Sequence, residues 1–290
     1  TETFDLMPNR SLVRYMAARG FDVYLIDCGR PRPEHAQLNF ADYADRLFGT
    51  ALEKIRRHSG RQDVSLMGWC MGGLLCLMHQ GLERDTHIRN IVTVASPIDM
   101  RGAGLMGDLG KAINAPAQML RRYTSLRLDT LLPENLYSPP FLTTLGFKLT
   151  NPVGSVTTYW DLVTNLWDRE FVETYSTTSD YLNNMLMYPG GVIRDMTVKV
   201  AVDNKLAAVR FEVGVRVAAI DQITCPLLAF AGETDTLVSP QVAGKLIEVV
   251  ASSDKEFRVA PGGHMGVILG SRAPEKVWAE SADWLAKRSS

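Results

Sequence analysis

Residues 64–82, VSLMGWCMGGLLCLMHQGL, contain no Asp, Glu, Lys or Arg, and this uncharged run constrains the fold more than any other stretch of the chain. It is about as long as a bilayer span requires. However, Ser65, Gly68, Gly72, Gly73, His79 and Gln80 interrupt it, which suits a lipid-facing helix poorly. A buried strand, a tight turn and a buried helix account for the same residues, and no membrane span is expected.

Composition sets the scale for what surrounds that run. The chain has 290 residues, 46% apolar and 22% charged, an ordinary globular balance that excludes disorder and fibrous repeats. A chain of this size buries enough surface for one large domain or a domain carrying an insertion. Lys plus Arg is 31 and Asp plus Glu is 32, a net charge of −1, so nothing points to nucleic acid or an anionic membrane. Four cysteines, Cys28, Cys70, Cys76 and Cys225, are too few for a disulfide framework and form no CxxC pair. The expectation is a reducing compartment and no thiolate-bound metal. The opening residues, TETFDLMPNR, lack the basic start and apolar run of a secretory signal.

The rest of the chain supplies strands and helices in alternation. Residues 11–19 have helical spacing and Gly20 ends them. Residues 21–27, FDVYLID, are short and mostly apolar, as a buried strand is, and 28–39 read as a loop with Gly29, Pro31 and Pro33. Asn39 is placed to cap a helix whose apolar face is Phe40, Tyr43, Ala44, Leu47, Phe48, Ala51, Leu52 and Ile55, closed by Gly60. Strands are expected at 64–67, 91–95, 226–231 and 257–260. Helices are expected at 74–82, from Ser239-Pro240, and from Pro274 with Val277, Trp278 and Trp284. This is the pattern of an α/β fold, a mostly parallel sheet with helices on both faces. Residues 101–221 break it with helical fragments, prolines, aromatics and few strand patterns. The division read from this is a core of 1–100 and 222–290 and an inserted, mainly helical cap or lid at 101–221. A separate small helical domain is the alternative.

The chemistry concentrates on Gly68-Trp69-Cys70-Met71-Gly72-Gly73, between the apolar strand and the apolar helix. This is a G-x-nucleophile-x-G elbow with cysteine in place of serine. Flanking glycines are needed because the nucleophile sits on a strained strand-to-helix bend. The helix start behind Cys70 presents free N–H groups near the sulfur, and the Met71 N–H is the natural oxyanion donor. A buried structural cysteine is the alternative reading of Cys70. A thiol nucleophile needs a base and an orienting acid, and in such folds these follow in that chain order, acid before histidine. His264, in the loop Pro261-Gly262-Gly263-His264-Met265-Gly266, is the expected base. His35, His58, His79 and His87 fit surface or satisfied-core roles. Asp235 is the expected acid, since it follows strand 226–231 at the end where parallel sheets place functional groups. Asp99 is its rival and Glu233 a third candidate. A cysteine forms a thioester rather than an oxyester, so the acyl group stays activated and can pass to an alcohol. This tilts the reading from ester hydrolysis toward acyl transfer from a coenzyme A thioester.

The chain resembles the catalytic domain of polyhydroxyalkanoate synthases, in the α/β-hydrolase superfamily. The resemblance runs through Asp5-Leu6-Met7-Pro8-Asn9-Arg10-Ser11, Asp22-Val23-Tyr24-Leu25-Ile26-Asp27, Asp42-Tyr43 and the elbow. It continues through Asp168-Arg169-Glu170-Phe171, Asn204-Lys205-Leu206, Ile223-Thr224-Cys225-Pro226, Asp235 with Leu237-Val238, and Gly262-Gly263-His264. The motifs are weak singly and specific when collinear. The resemblance implies that Cys70 carries the growing acyl chain and that His264 deprotonates it. Asp235 would support the histidine or activate the incoming hydroxyl. It further implies (R)-3-hydroxyacyl-CoA as substrate, release of coenzyme A, and neither a separate cofactor nor a metal. The implied setting is a homodimer, with a second synthase subunit as a further possible partner, on cytoplasmic polymer granules, with the cap gating the site. Two departures stand out. Cys28 occupies a position where relatives usually carry tryptophan, and relatives have a strand and a loop ahead of Asp5, so the expected status of this sequence is a fragment. The rival readings are a hydrolase on the same residues (an intracellular polyester depolymerase or thioesterase) and a non-catalytic granule scaffold.

Overall fold

A computed structural model of the chain describes residues 3–8, 10–100, 132–136, 188–205, 207 and 210–289, with isolated positions between 164 and 180. Near the N-terminus β1 (Asp5–Met7) pairs antiparallel with β2 (Arg10–Ser11). Ser11 then caps α1 (Leu12–Ala18), its hydroxyl accepting from the Arg14 N–H at 3.0 Å. Gly20 ends the helix in the left-handed region, φ 88. Its N–H reaches the Ala17 carbonyl and the Phe21 N–H reaches that of Met16, the paired bonds that satisfy orphan carbonyls at a helix end.

The next helix opens at Asn39, whose side-chain oxygen accepts from the Ala41 N–H at 2.8 Å. It passes through a wide π-type turn, Asp42–Leu47, and continues as α2 (Phe48–Ser59). Its buried side chains, Phe40, Ala44, Phe48 and Leu52, recur every four residues and form the stripe that faces the core. The chain then runs through β3 (Val64–Trp69), α3 (Met71–Glu83) and β4 (Ile88–Val94). After the residues that are not described come α4 (Gly190–Asp195), β5 (Arg210–Val213), β6 (Arg216–Ala219), β7 (Leu227–Gly232) and α5 (Pro240–Val249). Ser239 caps α5 through the Val242 N–H, with Pro240 as first residue. β8 (Lys255–Ala260), α6 (Gly266–Leu269), a wide turn from Pro274 and α7 (Ala279–Ala286) complete it.

Four strands form one parallel sheet in the order β3-β4-β7-β8. Alternate residues of the central strands enter different apolar layers. Ile91, Leu227 and Ala229 join α2 and α3 on one face. Val92, Val94, Leu228 and Phe230 join α1, α6 and the terminal helix on the other. With both faces covered, the strands can be apolar throughout, which is why they read as continuous runs. β4 and β7 are hydrogen-bonded neighbours although residues 95–226 separate them in the chain.

Two expectations are corrected. Residues 21–27 form no ladder. Phe21 and Val23 pack against one apolar layer and Ile26 against the other, while Asp22, Leu25 and Asp27 stay exposed. Half-burial alone produces the apolar–polar signal of a strand; a ladder also requires a neighbour in register, and among the described residues β3 pairs only with β4. Second, the segment read as poor in strands contains the hairpin β5–β6, turned at Gly214-Val215. Its residues Phe211, Val213 and Ala218 belong to the same apolar layer as α3, and a Cβ on Gly81 of α3 would lie 3.0 Å from the Ala219 nitrogen. The hairpin is a panel of the core, and four-residue strands around a two-residue turn carry too little periodicity to stand out. The remaining residues of 101–131 and 137–163, on which much of the cap reading rests, lie outside the described residues.

Candidate active site

Because the sheet is parallel, β3, β7 and β8 end at the same edge, and the segments that follow carry Cys70, Asp235 and His264. Cys70 is the bend between β3 and α3. It adopts φ 52, ψ −119, a conformation that costs a non-glycine residue about 1–3 kcal/mol. Its N–H is tied to the Val94 carbonyl at 2.8 Å and its carbonyl accepts from the Leu74 N–H. The glycines make the bend possible by close approach. A Cβ on Gly68 would lie 2.4 Å from Gly72 C and Gly73 N, and one on Gly73 would lie 2.0 Å from Ser96 Oγ, whereas Gly72 has open space. Gly68→Ala is therefore expected to lose about 3 kcal/mol of stability through forced backbone movement. Gly72→Ala stays within about 1 kcal/mol of wild type. Urea unfolding of the two variants checks the contrast, and equal losses would refute it.

Asp235 follows β7 with its side chain wholly buried. One carboxylate oxygen accepts from the N–H groups of Leu237 and Val238 at 2.9 and 2.8 Å. The other accepts from His264 Nδ1 at 2.8 Å. The loops after β7 and β8 are stitched together by Glu233 N–H to the Ala260 carbonyl and Thr234 N–H to that of Gly262. Gly262, at φ 114, makes the turn that lets His264 project inward.

His264 is buried, bonded to Asp235, and near enough to the Cys70 sulfur for that sulfur to act on its charge. Burial alone would lower its pKa. The Cys70 sulfur, with the hydrogen bond and charge of Asp235, outweighs that and pushes it up to about 10. The imidazole is thus held by a fixed carboxylate and feels the charge of the Cys70 sulfur. Met71 is the first residue of α3, so its N–H has no partner within the helix and lies next to the sulfur-bearing residue.

The alternative acids are elsewhere. Asp99 accepts from Asn204 Nδ2 at 2.7 Å, while Asn204 Oδ1 accepts from the Met100 N–H at 2.9 Å, which ties the end of the 96–100 segment to Asn204. Glu233 is exposed. Among the other histidines, His79 is buried against Phe48 and bonded to the Ala44 carbonyl, and burial lowers its pKa. His87 pairs with Asp63, His58 meets the Tyr24 hydroxyl, and His35 lies beside Glu34. Among the described residues no group of three or more His, Cys, Asp or Glu side chains could hold a metal ion, and no helix is long and apolar enough to cross a membrane.

Trp69 is a site residue that motif and spacing do not flag. Its indole N–H donates to the His264 carbonyl at 3.1 Å, and its ring lies 5.1 Å from the imidazole, tilted by 42°. The available signal was its size: one large aromatic directly before the nucleophile in a turn rich in glycine.

Comparison with known proteins agrees with this architecture. The family model described as alpha/beta hydrolase fold matches residues 3–271. The poly(3-hydroxyalkanoate) polymerase subunit PhaC of Haloferax mediterranei is 29% identical over 98% of this chain and 56% of that protein. The subunit of the same name from Haloarcula marismortui is 27% identical over 98% of this chain and 58% of its own length. The chain thus spans a little over half the length of these relatives. Among solved structures, Paleococcus ferrophilus monoacylglycerol lipase superposes with a TM-score of 0.51 at 17% identity, covering 96% of this chain and 88% of that one. Strand order, elbow and family match converge on one conclusion: the chain belongs to the alpha/beta hydrolase fold family.

Proposed function

We propose that this chain is the catalytic part of a polyhydroxyalkanoate synthase, which joins (R)-3-hydroxyacyl groups from coenzyme A thioesters into a polyester. The carrying observation is a cysteine on a strained elbow, φ 52, at the same sheet edge as a buried His264 bonded to a buried Asp235. The likeness to polymerase subunits over nearly the whole chain supports the same reading.

The reaction follows from the groups present. Cys70 Sγ, its proton held on His264, attacks the thioester carbonyl. The oxyanion is met by the Met71 N–H, and the C–S bond to coenzyme A breaks as His264 returns a proton to the departing thiolate. The enzyme thioester is about as activated as the substrate was, so little is lost. In the second half, the hydroxyl of another hydroxyacyl group gives its proton to His264 and attacks the Cys70 thioester. An ester bond forms, and Cys70 is released. Both oxygens of Asp235 are already engaged, one by two backbone N–H groups and one by His264. This favours its orienting the imidazole over its deprotonating an incoming alcohol.

An inserted cap within residues 101–221, ahead of the β5–β6 hairpin that packs in the core, belongs to the same proposal, as do a homodimeric or two-subunit working form and residence on cytoplasmic polymer granules. The full-length protein supplied with (R)-3-hydroxybutyryl-CoA tests the reading. Free coenzyme A with an insoluble polyester is the expected outcome. Free coenzyme A with soluble hydroxy acid would instead make the enzyme a hydrolase.

A further inference from the structure

The base of the site is carried by a loop with little rigidity of its own. Residues 261–266 read Pro-Gly-Gly-His-Met-Gly, and Gly262 stands at φ 114. Asp235 fixes one ring nitrogen of His264 at 2.8 Å. The loop backbone beside the imidazole is also held by Trp69, through the indole N–H on the His264 carbonyl at 3.1 Å, with the indole ring 5.1 Å from the imidazole. Trp69 is the last residue of β3, and the next residue is Cys70. One strand end therefore carries both the nucleophile and the clamp on the base, with a single peptide unit between them.

We propose that Trp69 is a positioning residue that sets the approach of His264 to Cys70, its indole donor holding the loop carbonyl and its ring bracing the imidazole against rotation. The inference rests on the assignment of Cys70 and His264 as nucleophile and base. A movement of the sheet edge then carries sulfur and imidazole together, so their contact survives fluctuations of the glycine-rich loop. A misplacement of about 1 Å between reacting groups is enough to cost orders of magnitude in rate, which gives one indole hydrogen bond its leverage.

The test separates donor from ring. Trp69→Phe removes the N–H and keeps an aromatic; 3-benzothienylalanine at position 69 keeps the bicyclic shape and removes only the donor. In the full-length protein, Cys70 alkylation by iodoacetamide is followed by peptide mass across pH, beside steady-state turnover, with His264→Gln as reference. Both Trp69 substitutions are expected to slow Cys70 alkylation at neutral pH and lower kcat by about five- to tenfold, the scale of one lost hydrogen bond. Their alkylation pH profile moves toward that of His264→Gln, with KM and thermal midpoint near wild type. If both Trp69 substitutions keep the wild-type pH profile and kcat while His264→Gln changes them, Trp69 only fills space and the inference is overturned, the assignment of the base standing. If His264→Gln also leaves Cys70 alkylation unchanged, the pair itself is wrong and the inference falls with it.

Discussion

Cys70→Ala is expected to lower acyl transfer by about 10⁴-fold or more, the scale seen when a covalent nucleophile is removed, while the chain still folds. The fold should survive because nothing in the core depends on the sulfur. Cys70 is half-buried, and its backbone N–H bond to the Val94 carbonyl and its carbonyl bond to Leu74 do not involve the side chain. Alanine inherits the same φ of 52 and the same strain, so stability should change by about 1 kcal/mol or less. Coenzyme A release measured with a thiol reagent, beside a circular-dichroism melt, checks both halves. The substitution also has an electrostatic consequence. The Cys70 sulfur is the largest of the influences that raise the His264 pKa, so the imidazole of Cys70→Ala should titrate lower than in wild type by NMR. A residual rate within tenfold of wild type would remove Cys70 from the mechanism.

His264→Gln is expected to cost about 10³- to 10⁴-fold in turnover, as loss of a triad base does. Glutamine can still hydrogen-bond Asp235 but cannot shuttle a proton. The same substitution makes a stability prediction whose sign follows from the titration. The pKa of His264 rises from its ordinary 6.5 to about 10 in the folded chain, so between those values the folded state holds a proton that the unfolded state has released. The stabilisation from this charged, paired imidazolium is fully present below about pH 6.5 and disappears as pH climbs through about 10. Urea midpoints of wild type and variant should therefore converge on the alkaline side. A gap that stays constant across that window, or widens, would show that the imidazole does not carry the charge assigned to it.

What could be read from the amino acids depended on how local each signal was. The uncharged run 64–82 holds its strand, its bend and its helix in consecutive residues, and the central strands show as apolar runs because both faces are buried. Asp235 and His264 were legible because each follows a strand, and their hydrogen bond spans loops that a parallel sheet brings to one edge. The stretch 21–27 misled because its side chains are half-buried without a partner strand. The hairpin 210–219 was missed because its stability comes from packing on α3, a contact distant in sequence. The link from Asn204 to Asp99 and the clamp from Trp69 to His264 also join remote segments. No periodicity in a single chain reports such pairs.

The junction between β4 and β7 bears on how the molecule can vary. These strands pair although residues 95–226 intervene, so forming the sheet means closing one very long loop. The entropy of such closure grows only logarithmically with length, and doubling the intervening chain adds about 0.6 kcal/mol. Additions that leave the core residues of that stretch, such as Phe211 and Val213, in place cost the sheet little, whereas one added carbon at Gly68 collides with backbone. Chains sharing this architecture can thus differ in the length of the excursion while the bend that presents the sulfur stays fixed.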